Sequence, residues 1–418
     1  MPGSRESTPV SNPLPDVAAP PDSVSARKQL APYVWKGSRL LPSAAALEAA
    51  PGSGSSFMIS NRTHRSDNEP DKTEPIANGE MCWLLSTVQA NDPNAGNYQQ
   101  QGGSSATVPE SFNAAIYTAL QSQGTPQLTI FIHGLGNLFP DAIWGMSSLG
   151  ANLATFANYP GLMIGFDWPS YDEVDSGWFY ASNGSPYLFP PTATSGTIRD
   201  NINGSRPAFA NLLTFITDLR NGIRDLTVSV VCHSEGNYMA LLGLLNNTTQ
   251  YFDHVLLLAA DINNAALQVP VNGAPLVGQG SGIVQSATDV TVYFTGNDDV
   301  LPISLYTYEY NYHNPEFGSR LGSAGPLYNG GILPANVYSV DCGAVINVQN
   351  FQYLQSQKVI PVQTDGSNLS MHTSYLFIPQ ILQDMSAVIT GANPGSIANR
   401  VTTTNQRGYS MTCNNSNN

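Results

Sequence analysis

Charge is scarce in this chain. Only 11% of its 418 residues are Asp, Glu, Lys or Arg, and the 16 basic residues are outnumbered by 30 acidic ones. The resulting net charge of −14 disfavours a nucleic-acid partner, which needs a basic face to neutralise phosphates, and none is expected. No apolar run approaches the ~18 residues of a membrane helix, so no transmembrane segment is expected. The four cysteines, Cys82, Cys232, Cys342 and Cys413, have no metal-ligand spacing. Cys232 ends an apolar run and reads as a buried thiol rather than half of a disulfide. No phosphate-binding loop, zinc pattern or EF-hand is present, and Gly278-Gln-Gly280-Ser-Gly282 does not fit a dinucleotide fingerprint. No cofactor and no metal are expected. The first residues, Met-Pro-Gly-Ser-Arg-Glu, lack a basic start followed by an apolar core, so no signal peptide is visible. That leaves location open, with a soluble cytoplasmic protein slightly favoured. Triplets such as Asn203-Gly-Ser are expected by chance in so Asn-rich a chain.

Against this background the stretch Thr-Val-Ser-Val-Val-Cys-His-Ser-Glu-Gly at 227–236 stands out. Thr227, Val228, Val230, Val231 and Cys232 suit a buried parallel strand. Gly236 lets the backbone turn sharply into the apolar segment 238–245, which can form a helix. A serine on such a turn projects its hydroxyl above the sheet, beside backbone N–H groups that can hold an oxyanion. Ser234 is therefore a candidate nucleophile.

The rest of the chain divides by composition. Residues 1–75 are rich in Pro, Ser, Ala and charge, without a sustained period, and read as a tail or loosely packed arm. Residues 76–107 read as an N-terminal extension packing on the core, residues 108–392 as the main domain, and 393–418 as a polar C-terminal tail. Within the main domain, strands are expected at 128–132, 162–168, 227–232, 255–260, 290–294 and, last, 337–340. Helices are expected at 141–158, around 209–219 and at 375–389. Such alternation implies a mostly parallel α/β sheet with helices on both faces. Two long aromatic excursions, 171–203 and 306–328, interrupt it. Loops of this length build or cover a binding site, or else pack as a satellite cluster on the sheet edge. Trp168, Trp178, Phe179 and Tyr180 are candidate pocket or lid residues.

A serine hydroxyl needs a histidine base, and that base a supporting carboxylate. In a sheet of this kind the chain order is nucleophile, acid, base. Of the six histidines, His64, His133 and His233 precede Ser234, and His254 lies at the wrong end of a strand. His313 and His372 remain. His372 follows the last strand and precedes the closing helix, so it is the preferred base; His313 reads as a rim or structural residue. Asp298 and Asp299 both reach the correct edge after the strand at 290–294, and Asp261 is a third choice. His133-Gly134, after an upstream strand, would present the Leu135 N–H to an oxyanion alongside the N–H of Glu235.

The ordered set Phe131-Ile-His133-Gly134, Phe166-Asp-Trp-Pro-Ser170, Cys232-His-Ser234-Glu-Gly236-Asn237, Ala-Ala-Asp261, Gly-Asn-Asp298 and His372-Thr-Ser-Tyr375 resembles the α/β-hydrolase superfamily. It is nearest to a little-characterised bacterial esterase-like family, over roughly residues 108–390. The resemblance implies an α/β-hydrolase fold, carboxylic-ester chemistry on a small-molecule or lipid-like substrate, and Asp298 rather than Asp299 as the acid. The chain departs from the family pattern at Cys232, where glycine is usual, and at Thr373, where serine is usual. An acyltransferase would use the same residues. The rival reading is a non-catalytic protein that keeps the fold as a binding or assembly module, its N-terminal tail docking a partner.

Overall fold

A computed structural model describes residues 55–64, 70–87, 97–101, 103–137, 139–170, 198–269, 279–302, 304, 319–327, 332–357, 371–404 and 407–412. Strands β1 (Ser55–Ser60), β2 (Arg62–His64), β3 (Pro70–Pro75), β4 (Cys82–Thr87) and β5 (Asn97–Gln100) come first, before helix α1 (Glu110–Gln121). Alternation then begins: β6 (Gln127–Ile132), α2 (Phe139–Ala157), β7 (Leu162–Asp167), α3 (Ile198–Gly222), β8 (Thr227–His233), α4 (Gly236–Gly243) and β9 (Phe252–Leu258). It continues through α5 (Ser281–Gln285), β10 (Ala287–Phe294), α6 (Leu321–Ala324), β11 (Val337–Asp341) and α7 (Val348–Ser356). A 3₁₀ turn (Met371–Leu376), α8 (Pro379–Ile389), β12 (Arg400–Thr402) and β13 (Gly408–Met411) close the chain.

The main sheet has 11 strands in the order β12-β13-β11-β10-β9-β8-β6-β7-β1-β4-β5. Every neighbouring pair from β13 to β1 is parallel, and the outer pairs β12–β13, β1–β4 and β4–β5 are antiparallel. Strands buried on both faces need apolar residues at consecutive positions, and β6 and β8 supply them. Ile130, Ile132, Val228 and Val230 pack into one core layer with α1, α3 and α4, whereas Phe131 and Val231 pack into the other with α2 and α8. Ile143, Met146, Leu149 and Leu153 form the buried stripe of α2, at the spacing of one helical face. Pro379 starts α8 at a first-turn position where its missing N–H costs nothing.

The sheet reaches further along the chain than its composition suggests. Residues 55–60 belong to it through β1, whose Phe57, Met58 and Ile59 are buried, so the expected arm does not extend to residue 75. At the other end β12 and β13 lie within the stretch expected to be a polar tail, and 337–340 is not the last strand. Short strands hide both: the three consecutive apolar residues of β1 are too few to show a period, and β12 and β13 carry fewer still.

The chain order doubles back between β6 and β8. From β6 the chain moves outward to β7, then crosses to β8 on the other side of β6. The loops after β6 and β8 therefore diverge from neighbouring strand ends, with Ile132 registered against Cys232. A crevice at such a switch point is where open α/β sheets bind ligands.

Candidate active site

Ser234 sits at that point. Its φ is +55°, in the left-handed region that a residue with a Cβ seldom adopts. The conformation is held by its neighbours. Ser234 N–H donates to Leu258 O (3.0 Å), while Ser234 O accepts from Asn237 N (3.0 Å) and Asp261 N (3.3 Å). The Asn237 amide adds a bond to the same carbonyl at 2.8 Å. Backbone strain of this kind costs ~1–3 kcal/mol and persists where surrounding structure enforces it. Two glycines make the turn possible. A Cβ on Gly236 would lie 2.5 Å from Ile132 O, and one on Gly134 would lie 2.7 Å from Ser234 Cβ. The loop after β6 thus touches the serine, and only glycine at 134 permits that approach.

His372 lies in the 3₁₀ turn before α8, and Asp298 follows β10. His372 Nδ1 is 2.8 Å from Asp298 Oδ2. A carboxylate accepts, so Nδ1 carries the proton and Nε2 keeps its lone pair. Asp298 Oδ1 accepts the N–H groups of Val300 (2.9 Å) and Leu301 (2.8 Å), which fixes the carboxylate's orientation. Burial opposes the charged form of each partner. The pair outweighs it: Asp298 is held below the usual carboxylate range by His372 and by the two N–H groups, and His372 is raised above the ordinary histidine value by Asp298.

The structure separates the three candidate acids. Asp299 does not meet the imidazole through any described contact; its carboxylate accepts the backbone N–H of His372 (3.2 Å) and of Met371 (3.4 Å). Asp261 is engaged by Arg320 Nε at 2.9 Å and by the Ser304 hydroxyl at 2.8 and 2.9 Å. Of the three, Asp298 is the one with a described bond to the imidazole.

His233, set aside by chain order, has a part that order cannot reveal. Its Nε2 donates to His372 O at 2.9 Å, and the two rings are 4.9 Å apart. Burial and the neighbouring His372 push its pKa down to about 3, so it is a neutral donor at working pH. His372 is thus gripped at its N–H by Asp299, at its carbonyl by His233 and at its ring by Asp298.

Leu135 and Glu235 flank Ser234, one in the loop after β6 and the other at the start of α4. Trp168 is not a pocket residue. It is fully buried, donates from Nε1 to His133 O (3.0 Å) and stacks on the His133 ring. Aromatic clustering in sequence does not distinguish a wall from a lining. Trp178, Phe179, Tyr180 and His313 lie outside the described residues. His254, near the start of β9, pairs with Asp289 at 3.0 Å, away from this edge. Cys232 is a free, buried thiol whose pKa burial pushes far up. Among the described residues no group of His, Cys, Asp and Glu could hold a metal ion, and no helix is long and apolar enough to cross a membrane.

Sheet order, strained serine turn and flanking loops define an α/β-hydrolase domain. Residues 108–311 match the family described as alpha/beta hydrolase of unknown function (DUF900). No curated protein matches the sequence. Among solved structures, an acetyl xylan esterase is 9% identical and aligns over 63% of this chain and 96% of its own, with a TM-score of 0.29. A cutinase-like protein from Cryptococcus sp. is 10% identical over 65% of this chain and 98% of its own (TM-score 0.30). An alpha/beta hydrolase from the metagenome of Lake Arreo, Spain, is 12% identical over 83% and 87% (TM-score 0.32).

Proposed function

We propose that the protein is a serine hydrolase of carboxylic esters, with Ser234 as nucleophile, His372 as base and Asp298 as the supporting acid. The observation that carries this reading is the buried His372–Asp298 pair at 2.8 Å, on the same sheet edge as a serine held at φ +55°. With Nδ1 protonated toward Asp298, Nε2 of His372 can take the Ser234 hydroxyl proton as the oxygen attacks the acyl carbon. The imidazolium so formed is stabilised by the Asp298 carboxylate and then protonates the leaving alcohol. Water, deprotonated by the same histidine, attacks the acyl-enzyme and releases the acid and Ser234. The N–H groups of Leu135 and Glu235 would stabilise the oxyanion of both tetrahedral intermediates, a contribution of ~3–4 kcal/mol per donor in comparable sites.

The test is labelling of the purified chain with a fluorophosphonate probe, beside Ser234→Ala and His372→Ala. Labelling of the wild type alone is expected, together with turnover of p-nitrophenyl esters of graded chain length. A folded wild type that neither labels nor hydrolyses any of them would overturn the reading.

A further inference from the structure

The motif Phe166-Asp-Trp-Pro-Ser170 has no part in the chemistry above, yet its aspartate heads the most densely bonded buried charge in the described molecule's serine edge. Asp167, at the end of β7, is fully buried. Its Oδ1 lies 2.8 Å from Arg62 Nη2 and 2.9 Å from His133 Nε2, and its Oδ2 accepts from the Ser60 hydroxyl at 2.6 Å. Arg62 Nε is 2.9 Å from both carboxylate oxygens. Burial works against the charged carboxylate, but Arg62, His133 and Ser60 together hold Asp167 below its ordinary range.

These contacts converge on one five-residue turn, 133–137, which contains Gly134 and Leu135. Arg62 Nη2 also donates to Asn137 O at 2.8 Å and to Trp168 O at 2.8 Å. The Asn137 amide donates to Gly134 O (2.9 Å) and Leu135 O (3.1 Å). Ser170 closes the far side: its carbonyl accepts Gly136 N–H (2.9 Å), and its hydroxyl accepts Asn137 N–H (3.1 Å). His133 Nδ1 donates to Gly134 O at 2.9 Å. The bonds from Arg62, Asn137, Ser170 and His133 fix where the peptide units at 134–137 point, and none of these named bonds reaches Ser234 or His372.

We infer that Arg62 and Asp167, with Ser170, are positioning residues for the oxyanion-binding turn, so that strand β1's flank supplies part of the catalytic apparatus. This rests on the reading of Ser234 as an esterase nucleophile. Donors aimed at a developing oxyanion must be set before reaction, and misplacing a reacting group by ~1 Å costs about 100-fold. A guanidinium fork spanning a carboxylate and two carbonyls gives that rigidity, and lysine, a single point donor, does not reproduce it.

The experiment compares wild type, Arg62→Lys, Asp167→Asn and Ser170→Ala, with active sites counted by fluorophosphonate titration and secondary structure followed by circular dichroism. Per titrated site, kcat is expected to fall about 10- to 100-fold in Arg62→Lys and Asp167→Asn. A smaller fall is expected in Ser170→Ala, with KM within about twofold and the pH of the acid limb unmoved. Ser170→Ala removes one hydroxyl and keeps the test open if the charge variants do not fold. Unchanged kcat per titrated site, even with lowered thermal stability, would mean that the network only holds the fold and would overturn the inference. A wild type that neither labels nor turns over would instead take down the esterase reading and this inference with it.

Discussion

Two buried aspartates stand on opposite sides of Ser234, and their partners set them apart. Asp298 faces an imidazole that can gain and lose a proton within the physiological range. Asp167 faces Arg62, whose guanidinium stays charged at any pH at which the fold survives. Both carboxylates are depressed and both pairs are buried, yet under the proposed reading one side moves a proton and the other holds a shape. Residue type and burial do not reveal which is which. A permanently charged partner, present on Asp167 beside the imidazole of His133 and not described on Asp298, does.

The comparison breaks most sharply at the nucleophile. Ser234→Ala or His372→Ala should each lower kcat by about 10⁴-fold or more, and the double variant should be little worse, because the two act as a unit. Stopped-flow or long-endpoint ester assays check this; additive losses would mean that the two do not share a step. Asp298→Asn should cost about 10³–10⁴-fold by favouring the wrong imidazole tautomer.

The pH profile sharpens the contrast. His372 must be neutral to act as a base, and Asp298 raises its pKa, so kcat/KM should fall as pH drops through a value above the ordinary ~6.5 of histidine. In Asp298→Asn the residual activity should lose its acid limb at a lower pH. Asp167 is depressed, so the stability its ionisation contributes is present above the unfolded carboxylate pKa of ~3.9 and lost as pH falls through its lower folded value. Activity lost as the pH falls from about 7 to about 6 should therefore return fully on neutralisation, with circular dichroism unchanged. An unfolding transition coincident with the loss of activity would contradict this order of events.

Smaller effects on turnover are expected from groups outside the two charge pairs. His233→Phe removes the donor to His372 O, and should lower kcat about tenfold by loosening the base. Arg400→Met breaks a buried pair with Asp384 at the opposite flank of the sheet. It should lower stability by ~3–5 kcal/mol in a denaturant titration while leaving kcat unchanged.

The His372–Asp298 pair was among the pairings the sequence offered, whereas the Arg62–Asp167 pair was not. Ser234, Asp298 and His372 each follow a recognisable strand, in the order the fold demands, while the choices among Asp298, Asp299 and Asp261 and between His372 and His313 depended on turns whose direction sequence does not encode. Arg62 was hidden for a physical reason. It lies in Asn61-Arg-Thr-His-Arg-Ser-Asp-Asn-Glu-Pro-Asp-Lys, a run whose charge density describes a solvated linker. Its described partners Asp167, Asn137 and Trp168 all lie far along the chain. The usable signal was local: Arg62 comes two residues after the apolar strand β1, and Asp167 ends another apolar strand, so opposite charges terminate two core strands. His233 was missed because chain order tests only for a base, and this histidine serves as a backbone donor.

The pairing of β1 with β7 also has a consequence for the nascent chain. Arg62 and Asp167 are 105 residues apart. At a synthesis rate of roughly 5–20 residues per second, Arg62 waits about 5–20 s for its carboxylate. During that interval Phe57, Met58 and Ile59 have only the nearby antiparallel strand β4 to cover one edge of β1. The antiparallel pair of β1 and β4 can form in that interval, before Asp167 emerges to meet Arg62. Ser234, synthesised later still, arrives at a turn whose scaffold can already be in place.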